Sequence, residues 1–288
     1  MSETTVFDCD VCGSGDAAEI TCLRAYSGGR PIHVCRNCGF VYVRERRSFS
    51  EIADAWSYEE YGAEKSYSAY RPAVRARQTF VAATIDAEIG LVGKRVCDIG
   101  AGEGLFGTML REAGADVFSI EPSPALCADM TVKGLENFVG TIETYLDSPT
   151  CESGMFDIAT IIWTLENCHD CRLMLEGAHR LLKPGGHLVV ATGSRILVPF
   201  KKPLQYYIAN ANSDIHNFRF SAATLERLFA ACGFEKTFVN RYIDSDVLCM
   251  IGRHAEGAIA STPPADDWKQ VIDFFNRWDA DTQANYTG

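Results

Sequence analysis

The chain has 288 residues, 47% of them hydrophobic and 23% charged, which is typical of a globular protein with one large core or one domain plus a small module. Its net charge of −11 disfavours non-specific binding to a nucleic-acid backbone. No run of about 18 uncharged apolar residues is present and the N-terminus lacks a signal-peptide pattern, so we expect no membrane segment and a cytoplasmic location.

Two Cys-x-x-Cys pairs near the start of the chain point to a metal site. About twenty residues separate the pairs and a glycine follows each, so each tight turn places two sulfurs on one side of a tetrahedron. This spacing matches a closed four-thiolate site, in which zinc supports folding and has no open position for a substrate. The sequence therefore predicts a zinc ribbon over residues 1–48. Its four predicted ligands are Cys9, Cys12, Cys35 and Cys38.

Twelve cysteines in a chain without a secretory signal favour reduced thiols or metal ligands over disulfides. A further pair, Cys168 and Cys171, has no partner pair nearby, and we interpret it as the start of a helix capped by Asp170. Within the ribbon, Cys22 is interpreted as a packing residue. His33 is interpreted as a residue of the surface or of a substrate cleft, and because it stands two residues before a predicted ligand, a metal-ligand role is the alternative. Short strands are predicted at 20–23, 32–34 and 40–43.

Residues 49–92 follow as an aromatic and charged segment that ends in a predicted helix at 73–89. Its rings fit either a surface helix packed on the main domain or a lid that closes over a ligand, because tyrosine combines a large apolar ring with a polar tip. Arg71 and Arg75 are four residues apart, so they would share one helix face and could hold an anion. The tyrosines concerned are Tyr58, Tyr61 and Tyr70.

Strands and helices alternate over residues 93–254, the predicted main domain. This alternation is typical of an α/β fold with a doubly wound, mainly parallel sheet covered by helices on both faces. Strands are predicted at 95–97, 116–121, 137–139, 156–163, 187–192, 234–242 and 247–253, the last two antiparallel to each other. Helices are predicted at 105–113, from 124, at 171–182 and at 221–232. Residues 255–288 carry apolar side chains at helical spacing, so we predict a C-terminal helix that packs on the protein or on a partner subunit.

A glycine-rich turn follows the first strand of this domain. Glycines at every second position let the backbone turn tightly and let a ligand approach without a Cβ in the way. An acidic residue stands before the first glycine and no Lys-Ser or Lys-Thr pair follows, which argues against a P-loop. Glu121 ends the second strand about twenty residues later, a spacing that suits a carboxylate binding ribose hydroxyls at the carboxyl ends of the strands. The turn contains Asp98, Gly100, Gly102 and Gly104.

Four motifs in order resemble those of the class I S-adenosylmethionine-dependent methyltransferases. They are the glycine turn at 98–104, the segment at 121–123, the strand at 156–163 with the Leu-Glu-Asn that follows it, and the Lys-Pro-Gly-Gly turn at 183–186. Many relatives have Leu-Glu-His where this chain has Asn167, so the role of that histidine is not carried over. The resemblance covers residues 74–253 and implies a Rossmann-like fold and a methyltransferase activity.

The order of zinc ribbon, tyrosine-rich segment and methyltransferase core is similar to a subgroup that methylates sugars, including the C-methyltransferases of deoxysugar nucleotides. Those enzymes carry a further C-terminal domain, and their Tyr-His-Glu-His-Phe-Ser stretch has only a looser counterpart here, at 214–221. We therefore expect methylation of oxygen rather than carbon. The implied acceptor is a sugar, a sugar nucleotide or a natural-product intermediate.

The resemblance also implies roles around the cofactor, S-adenosylmethionine. The turn backbone contacts the methionine part, Asp98 orders the turn or accepts from the amino group, and Glu121 takes the ribose hydroxyls. Pro122 lies against the adenine, residues 141–143 hold the adenine edge, and Trp163 lines the pocket near the sulfonium. The predicted cofactor residues are Asp98, Gly100, Ala101, Gly102, Gly104, Glu121, Pro122, Thr141, Ile142, Glu143, Trp163 and Thr164.

Methyl transfer to oxygen needs in-line geometry and a base that removes the hydroxyl proton. His216 is our first candidate, because an unshifted histidine titrates near working pH, and a packing role is the alternative. His169, after the fourth strand, is the second candidate, and Tyr61 is the third. The predicted acceptor site, whose cations would suit a nucleotide diphosphate or another acid, comprises Tyr58, Tyr70, Arg71, Arg75, Lys202, Tyr206 and Arg219.

Other functions stay open on the sequence alone. They are a sugar C-methyltransferase, an RNA or protein methyltransferase with the ribbon as a reader, and a non-catalytic scaffold that binds the cofactor. The acidic charge, and the few ribbon aromatics flanked by Lys or Arg, argue against RNA. The departure at Asn167 is the sequence feature that supports a scaffold. We expect a small-molecule acceptor, no membrane partner and a homodimer as a possible assembly.

Overall fold

The computed structural model of the chain describes residues 6–48, 51–52, 71–200, 202–208, 216–257, 259 and 262–286. Two β-sheets organise these residues, one of four strands and one of seven. Every helix among them is too short or too polar to act as a transmembrane span. Some predicted site residues lie outside this part of the chain, namely Tyr58, Tyr61, Tyr70 and the side chain of Arg71.

The strands and helices predicted for the main domain are found in the structure, most of them with small shifts at their ends. The strand predicted at 187–192 instead begins at Leu182, so it includes the turn predicted at 183–186. The strands of the described residues are β1 (Ala17–Glu19), β2 (His33–Cys35), β3 (Val41–Tyr42), β4 (Arg95–Ile99), β5 (Asp116–Glu121), β6 (Glu136–Val139), β7 (Phe156–Ile162), β8 (Leu182–Thr192), β9 (Phe218–Arg219), β10 (Phe234–Val239) and β11 (Leu248–His254). The α-helices are α1 (Arg71–Glu88), α2 (Leu105–Glu112), α3 (Pro124–Val132), α4 (Ile142–Leu146), α5 (Cys171–Leu181), α6 (Gln205–Ile208), α7 (Ala222–Ala231) and α8 (Trp268–Tyr286).

The seven-stranded sheet has the strand order β10-β11-β8-β7-β4-β5-β6. Strands β4 to β8 pair in parallel, and β11 is antiparallel to both β8 and β10. Alternate residues face opposite sides, so Ile158 and Ile162 of β7 join the core under α1 to α3, whereas Ala159 and Ile161 join the core under α5 and α7. The predicted doubly wound, mainly parallel sheet with an antiparallel end pair is confirmed.

The four-stranded sheet joins the N-terminal region to the main domain. Its order is β1-β2-β3-β9, and β9 comes from the chain between β8 and α7. The register pairs Val41 with Arg219 and Tyr42 with Phe218. A strand of the main domain thus completes the sheet of the ribbon. The predicted division of the chain after residues 48, 92 and 254 stays a prediction.

The strand predicted at 20–23 is wrong. The strand lies earlier, at Ala17–Glu19, where it pairs with β2, and Thr21–Ala25 forms a 3-10 helix. Ile20 and Leu23 are both fully buried. A 3-10 helix places residues three apart on one side, so the two apolar side chains reach the core from a helical turn.

The C-terminal helix α8 packs within the chain. Its apolar stripe is buried in the same cluster as Ile20, Leu23 and Ile32 of the ribbon region. Tyr26 donates a hydrogen bond to Asp279 at 2.5 Å, which fixes the outer edge of the contact. The first of the two packing modes predicted for this helix is therefore observed. The buried residues of α8 are Val271, Phe274, Phe275, Trp278 and Thr282.

Candidate functional site

The glycine turn lies where β4 ends and α2 begins. Gly100, Gly102 and Gly104 all have positive φ, at 73°, 55° and 72°. A Cβ at Gly100 would overlap the side chain of Thr164, and one at Gly104 would meet the side chains packed beneath α2. A Cβ at Gly102 would meet nothing within 4 Å. Gly100 and Gly104 are thus required for packing as well as for φ, while Gly102 borders open space where a ligand can approach.

Glu121 connects the end of β5 to this turn. Its Oε2 accepts a hydrogen bond from the Gly102 N–H at 2.9 Å, and its Oε1 accepts one from the Ser123 N–H at 3.0 Å. Burial raises the pKa of Glu121, and the two backbone N–H groups oppose that shift. Each carboxylate oxygen keeps a further lone pair, so the group can accept from a ligand while it holds the turn.

Asp98 lies buried in β4, directly opposite Ser119 of β5. Its Oδ1 accepts a hydrogen bond from Thr160 Oγ1 at 2.7 Å, whereas its Oδ2 and the Ser119 hydroxyl find no partner within the described residues. Burial raises the pKa of Asp98 to about 6, against the effect of Thr160, and the charge of Glu121 adds to the rise. Unpartnered polar atoms next to an open glycine turn are what a polar ligand would satisfy.

The other predicted cofactor residues surround the same turn. Thr164 Oγ1 donates to the Gly100 carbonyl at 3.2 Å, and Trp163 adopts a positive φ of 57° directly after β7. The Gly140 N–H donates to the Glu121 carbonyl at 3.0 Å, which holds the start of α4 beside β5. Within that start, Thr141 caps the helix, Ile142 is buried and Glu143 is half-exposed; Ala101 and Pro122 are half-buried.

The described residues fit a nucleoside-type ligand such as S-adenosylmethionine on three observations. These are the open side of Gly102, the buried carboxylate of Glu121 at the adjacent strand end, and the unpartnered Oδ2 of Asp98. The sequence profile of a methyltransferase domain matches residues 71–238, more than half of the chain. The chain belongs to this methyltransferase family. The predicted dependence on S-adenosylmethionine is thereby confirmed at the level of the family.

Two curated relatives match part of the chain. A ubiquinone biosynthesis O-methyltransferase of Xanthomonas oryzae pv. oryzae is 31% identical over 165 residues, which are 56% of this chain and 66% of that protein. The match thus spans just under two thirds of that relative. The enzyme of the same name from Pseudomonas aeruginosa is 32% identical over 114 residues, covering 38% of this chain and 49% of that protein.

Two solved structures show the same fold as this chain. One is the 1,6-didemethyltoxoflavin-N1-methyltransferase of Burkholderia thailandensis with 1,6-didemethyltoxoflavin and S-adenosylhomocysteine bound, at a TM-score of 0.54 and 17% identity over 75% of this chain and 96% of that one. The other is the complex of the Haloferax volcanii Trm112 activator with a methyltransferase, at a TM-score of 0.52 and 18% identity over 68% of this chain and 100% of the matched one. At these identities the likeness shows the fold alone.

A second polar group lies at the carboxyl ends of β7 and β8. Glu166 is fully buried, its Oε1 accepts from the Gly193 N–H at 3.2 Å, and its Oε2 has no partner in the part of the chain that the structure describes. Burial raises the pKa of Glu166 to about 7. Glu166 is not among the predicted site residues, because only its neighbour Asn167 departs from the motif of the relatives. Asn167 donates to the Trp163 carbonyl at 3.1 Å and so closes the turn after β7.

His216 belongs to the same group. Its Nδ1 is hydrogen-bonded to the hydroxyl of Ser194, which follows β8. Burial, together with the smaller effect of the positive charges of Arg219 and Lys202, lowers the pKa of His216 to about 3. The expectation of an unshifted histidine is therefore wrong, and the imidazole is neutral at physiological pH.

Arg219 of β9 is buried beside His216. Its Nη1 donates to the His216 carbonyl at 2.9 Å, and its guanidinium lies 6.0 Å from the ring centre of Tyr207. Tyr206 is one of the tyrosines predicted for the acceptor site, but its side chain is 65% exposed. The neighbouring Tyr207 faces the arginine instead. We call the group at this end of the sheet the acceptor cluster; it comprises Glu166, Ser194, Tyr207, His216 and Arg219.

The remaining predicted acceptor residues are spread more widely. The Lys202 ammonium lies 5.6 Å from the ring centre of Tyr207, so it borders the acceptor cluster. Arg75 is exposed on α1. His169 lies away from the cluster, with its Nδ1 2.6 Å from the Arg47 carbonyl and its ring edge-on to Phe7 at 4.9 Å. The structure thus places His169 between the ribbon and the core, and its catalytic role stays a prediction.

The four predicted metal ligands come together in the ribbon. Their sulfur atoms all lie within 4.8 Å of one another, with Cys9 and Cys38 at 3.5 Å and Cys12 and Cys35 at 3.5 Å. His33 and Cys22 are not members of this group. Asp170 accepts from the Leu173 N–H at 2.9 Å and caps α5, as predicted. The cysteine cluster fits a small zinc ribbon.

Proposed function

We propose that the protein transfers the methyl group of S-adenosylmethionine to a hydroxyl oxygen of a small molecule, such as a sugar, a sugar nucleotide or a natural-product intermediate. The observation that carries this proposal is the hydrogen bond from Gly102 to Glu121, which couples a strand-end carboxylate to an open glycine turn in a methyltransferase fold. Oxygen as the methylated atom is supported by the O-methyltransferase names of the two curated relatives.

The residues around the turn divide the binding of the cofactor among them. When bound, S-adenosylmethionine supplies a methyl group on a positively charged sulfur. The free lone pairs of Glu121 suit the ribose hydroxyls, and the unpartnered Oδ2 of Asp98 is available to the amino group, directly or through water. Trp163 lies against Gly193, with its Nε1 3.5 Å from the position of a Cβ there, so it stands between the cofactor turn and the acceptor cluster.

His216 is the proposed acceptor of the hydroxyl proton. In the tautomer that suits a base, Nδ1–H donates to the Ser194 hydroxyl oxygen, which orients the ring and leaves the Nε2 lone pair for the proton. The lowered pKa keeps the imidazole neutral, as a base must be, but also makes it a weak base. An acceptor that brings negative charge close to Arg219 would raise the pKa of His216 towards its ordinary value.

A structural zinc ion is proposed for the cysteine cluster. Four thiolates about 2.3 Å from a tetrahedral zinc stand about 3.8 Å from one another. The sulfur pairs at 3.5 Å and the overall limit of 4.8 Å agree with that geometry. Gly13 and Gly39, with φ of 72° and 75°, allow the turn after each Cys-x-x-Cys pair.

Two matched glycine variants test the proposed activity. Gly102 and Gly93 both have positive φ, and a Cβ at either position would meet nothing within 4 Å. Substitution by alanine should therefore cause a similar backbone strain of roughly 1 kcal/mol at each position. Only Gly102 belongs to the glycine turn that is proposed to bind the cofactor. We expect Gly102→Ala to weaken S-adenosylhomocysteine binding at least tenfold in calorimetry, and Gly93→Ala to leave it unchanged.

The transfer itself is measured with tritium-labelled S-adenosylmethionine and a panel of hydroxylated sugars, sugar nucleotides and phenols. The wild-type chain is expected to label at least one acceptor, and Gly102→Ala to lose that labelling at subsaturating cofactor. Tight cofactor binding without transfer to any acceptor would contradict the proposal and would indicate a scaffold.

A further inference from the structure

Arg219 heads the largest fully buried side chains of the described residues, with 1% of its surface exposed. Its backbone is fixed by the pairing of β9 with Val41 of β3. Nη1 donates to the His216 carbonyl, but among the described residues neither Nε nor Nη2 has a hydrogen-bond partner. Two of the three guanidinium nitrogens are therefore buried without a partner, which costs several kcal/mol in a folded protein unless something satisfies them.

A second buried arginine shows how this fold satisfies a structural guanidinium. Arg46 donates from Nε to the Val43 carbonyl, and its Nη1 and Nη2 contact the two carboxylate oxygens of Asp10 at 2.8 and 2.5 Å. All three nitrogens of Arg46 are thus paired, and its charge is neutralised. Arg219 has no such carboxylate among the described residues. The contrast indicates that Arg219 is not held for the stability of the fold.

The unpartnered atoms of Arg219 form one edge of its guanidinium. Nε and Nη2 lie side by side and can donate two parallel hydrogen bonds to a carboxylate or a phosphate. Arg77 uses the same pair of nitrogens to hold Asp246, at 3.2 and 2.6 Å. The free edge of Arg219 therefore has the geometry of an oxyanion site.

The surroundings of Arg219 belong to the acceptor cluster. His216, the proposed base, is joined to Arg219 through its carbonyl, and Tyr207 lies 6.0 Å from the guanidinium. The Lys202 ammonium lies 5.6 Å from the centre of the same Tyr207 ring and adds a second positive charge to this region. An acidic group bound here would be close to the loop that carries His216.

We propose that the Nε and Nη2 edge of Arg219 binds an oxyanion, a carboxylate or a phosphate, of the methyl acceptor and so positions the acceptor hydroxyl near His216. This inference rests on the proposed methyltransferase function and narrows its acceptor to acidic molecules. A carboxylate, which is planar, and a phosphate, which is tetrahedral, can both bind in this way, because each presents two oxygens at hydrogen-bond distance from one guanidinium edge.

The experiment measures anion binding to the full chain, with inorganic phosphate and acetate as probes at constant ionic strength. Thermal shift and calorimetry are recorded for the wild type, for Arg219→Met and for Arg241→Met. The control arginine is exposed and pairs with Asp244 at the surface. We expect phosphate or acetate to raise the Tm of the wild type and of Arg241→Met, and to leave that of Arg219→Met unchanged. The anion that gives the larger shift identifies the source.

Arg219→Met also removes an unpaired buried charge and keeps a similar volume. We therefore expect its Tm without anion to equal or exceed that of the wild type. If the variant does not fold, Arg219→Lys serves instead, because it keeps the charge, loses the bidentate edge and should bind the probe at least tenfold more weakly. An equal anion response in wild type and Arg219→Met overturns the proposal, and so does a wild type that responds to neither probe.

Calorimetry with S-adenosylhomocysteine separates this inference from the proposed function. Arg219→Met is expected to bind S-adenosylhomocysteine as the wild type does, because the cofactor turn lies at β4 and β5. A wild type that fails to bind S-adenosylhomocysteine contradicts the proposed function, whereas a lost anion response with intact cofactor binding in Arg219→Met supports the anion site.

Discussion

Glu166 illustrates how a single residue at the end of a strand can make stability depend on pH. Burial raises its pKa to about 7 from 4.5, so the folded protein keeps a proton that the unfolded chain releases. Its contribution to stability is complete below pH 4.5 and is lost as pH rises through 7, because the folded state binds more protons in that window. A neutral glutamine at this position would not show that loss.

We therefore expect the free energy of unfolding of the wild type to fall between pH 4.5 and 8 by up to about 3 kcal/mol more than that of Glu166→Gln. Urea unfolding at several pH values measures both curves. His216 and Asp98 also titrate with shifted pKa values, but they are common to the two proteins and cancel in the difference. Parallel curves for the two proteins would show that Glu166 ionises freely in the fold.

At the scale of elements, the ribbon supports the acceptor cluster through one strand pair. Strand β3 follows the second Cys-x-x-Cys pair directly, and it pairs with β9, which carries Arg219. The first pair is tied to the core as well, because Asp10 between its cysteines is bound by Arg46, whose Nη1 also donates to the His169 carbonyl at 2.9 Å. Loss of metal is therefore expected to disturb the acceptor cluster before it disturbs the cofactor turn.

Cys38→Ser and Cys22→Ser test this coupling, since both remove a thiol of the ribbon but only Cys38 belongs to the cysteine cluster. We expect mass spectrometry to show that Cys38→Ser lacks bound zinc. The variant should also lose hydrogen-exchange protection in β3 and β9, but it should keep most of its affinity for S-adenosylhomocysteine. Cys22→Ser should retain all three properties. Undiminished protection of β9 in zinc-free Cys38→Ser would show that the ribbon sheet forms without metal.

Across the whole protein, the features that the sequence predicted are those that depend on residues close to one another in the chain. The glycine turn, the cap at Asp170, and the order of strands and helices are all local patterns. The sequence did not predict that β9 joins the ribbon sheet, because a two-residue strand has no periodicity and its partner strand, Val41–Tyr42, lies far earlier in the chain. The missing partner of Arg219 is likewise visible only in three dimensions.

The C-terminal helix α8 is expected to contribute to stability and to the acceptor cluster together, through Trp278. Its Nε1 donates to the Lys202 carbonyl at 2.8 Å, and its ring lies 4.7 Å from Tyr207 and 5.2 Å from Phe200. Trp278→Ala should lower the free energy of unfolding by about 3–5 kcal/mol, as expected for a buried tryptophan, and should weaken the anion response. Trp268→Ala on the same helix, where the ring is half-exposed, should cost only about 1 kcal/mol and leave the anion response intact. Urea unfolding and anion-dependent thermal shifts measure both effects, and equal losses in the two variants would mean that α8 does not support the segment that carries Tyr207.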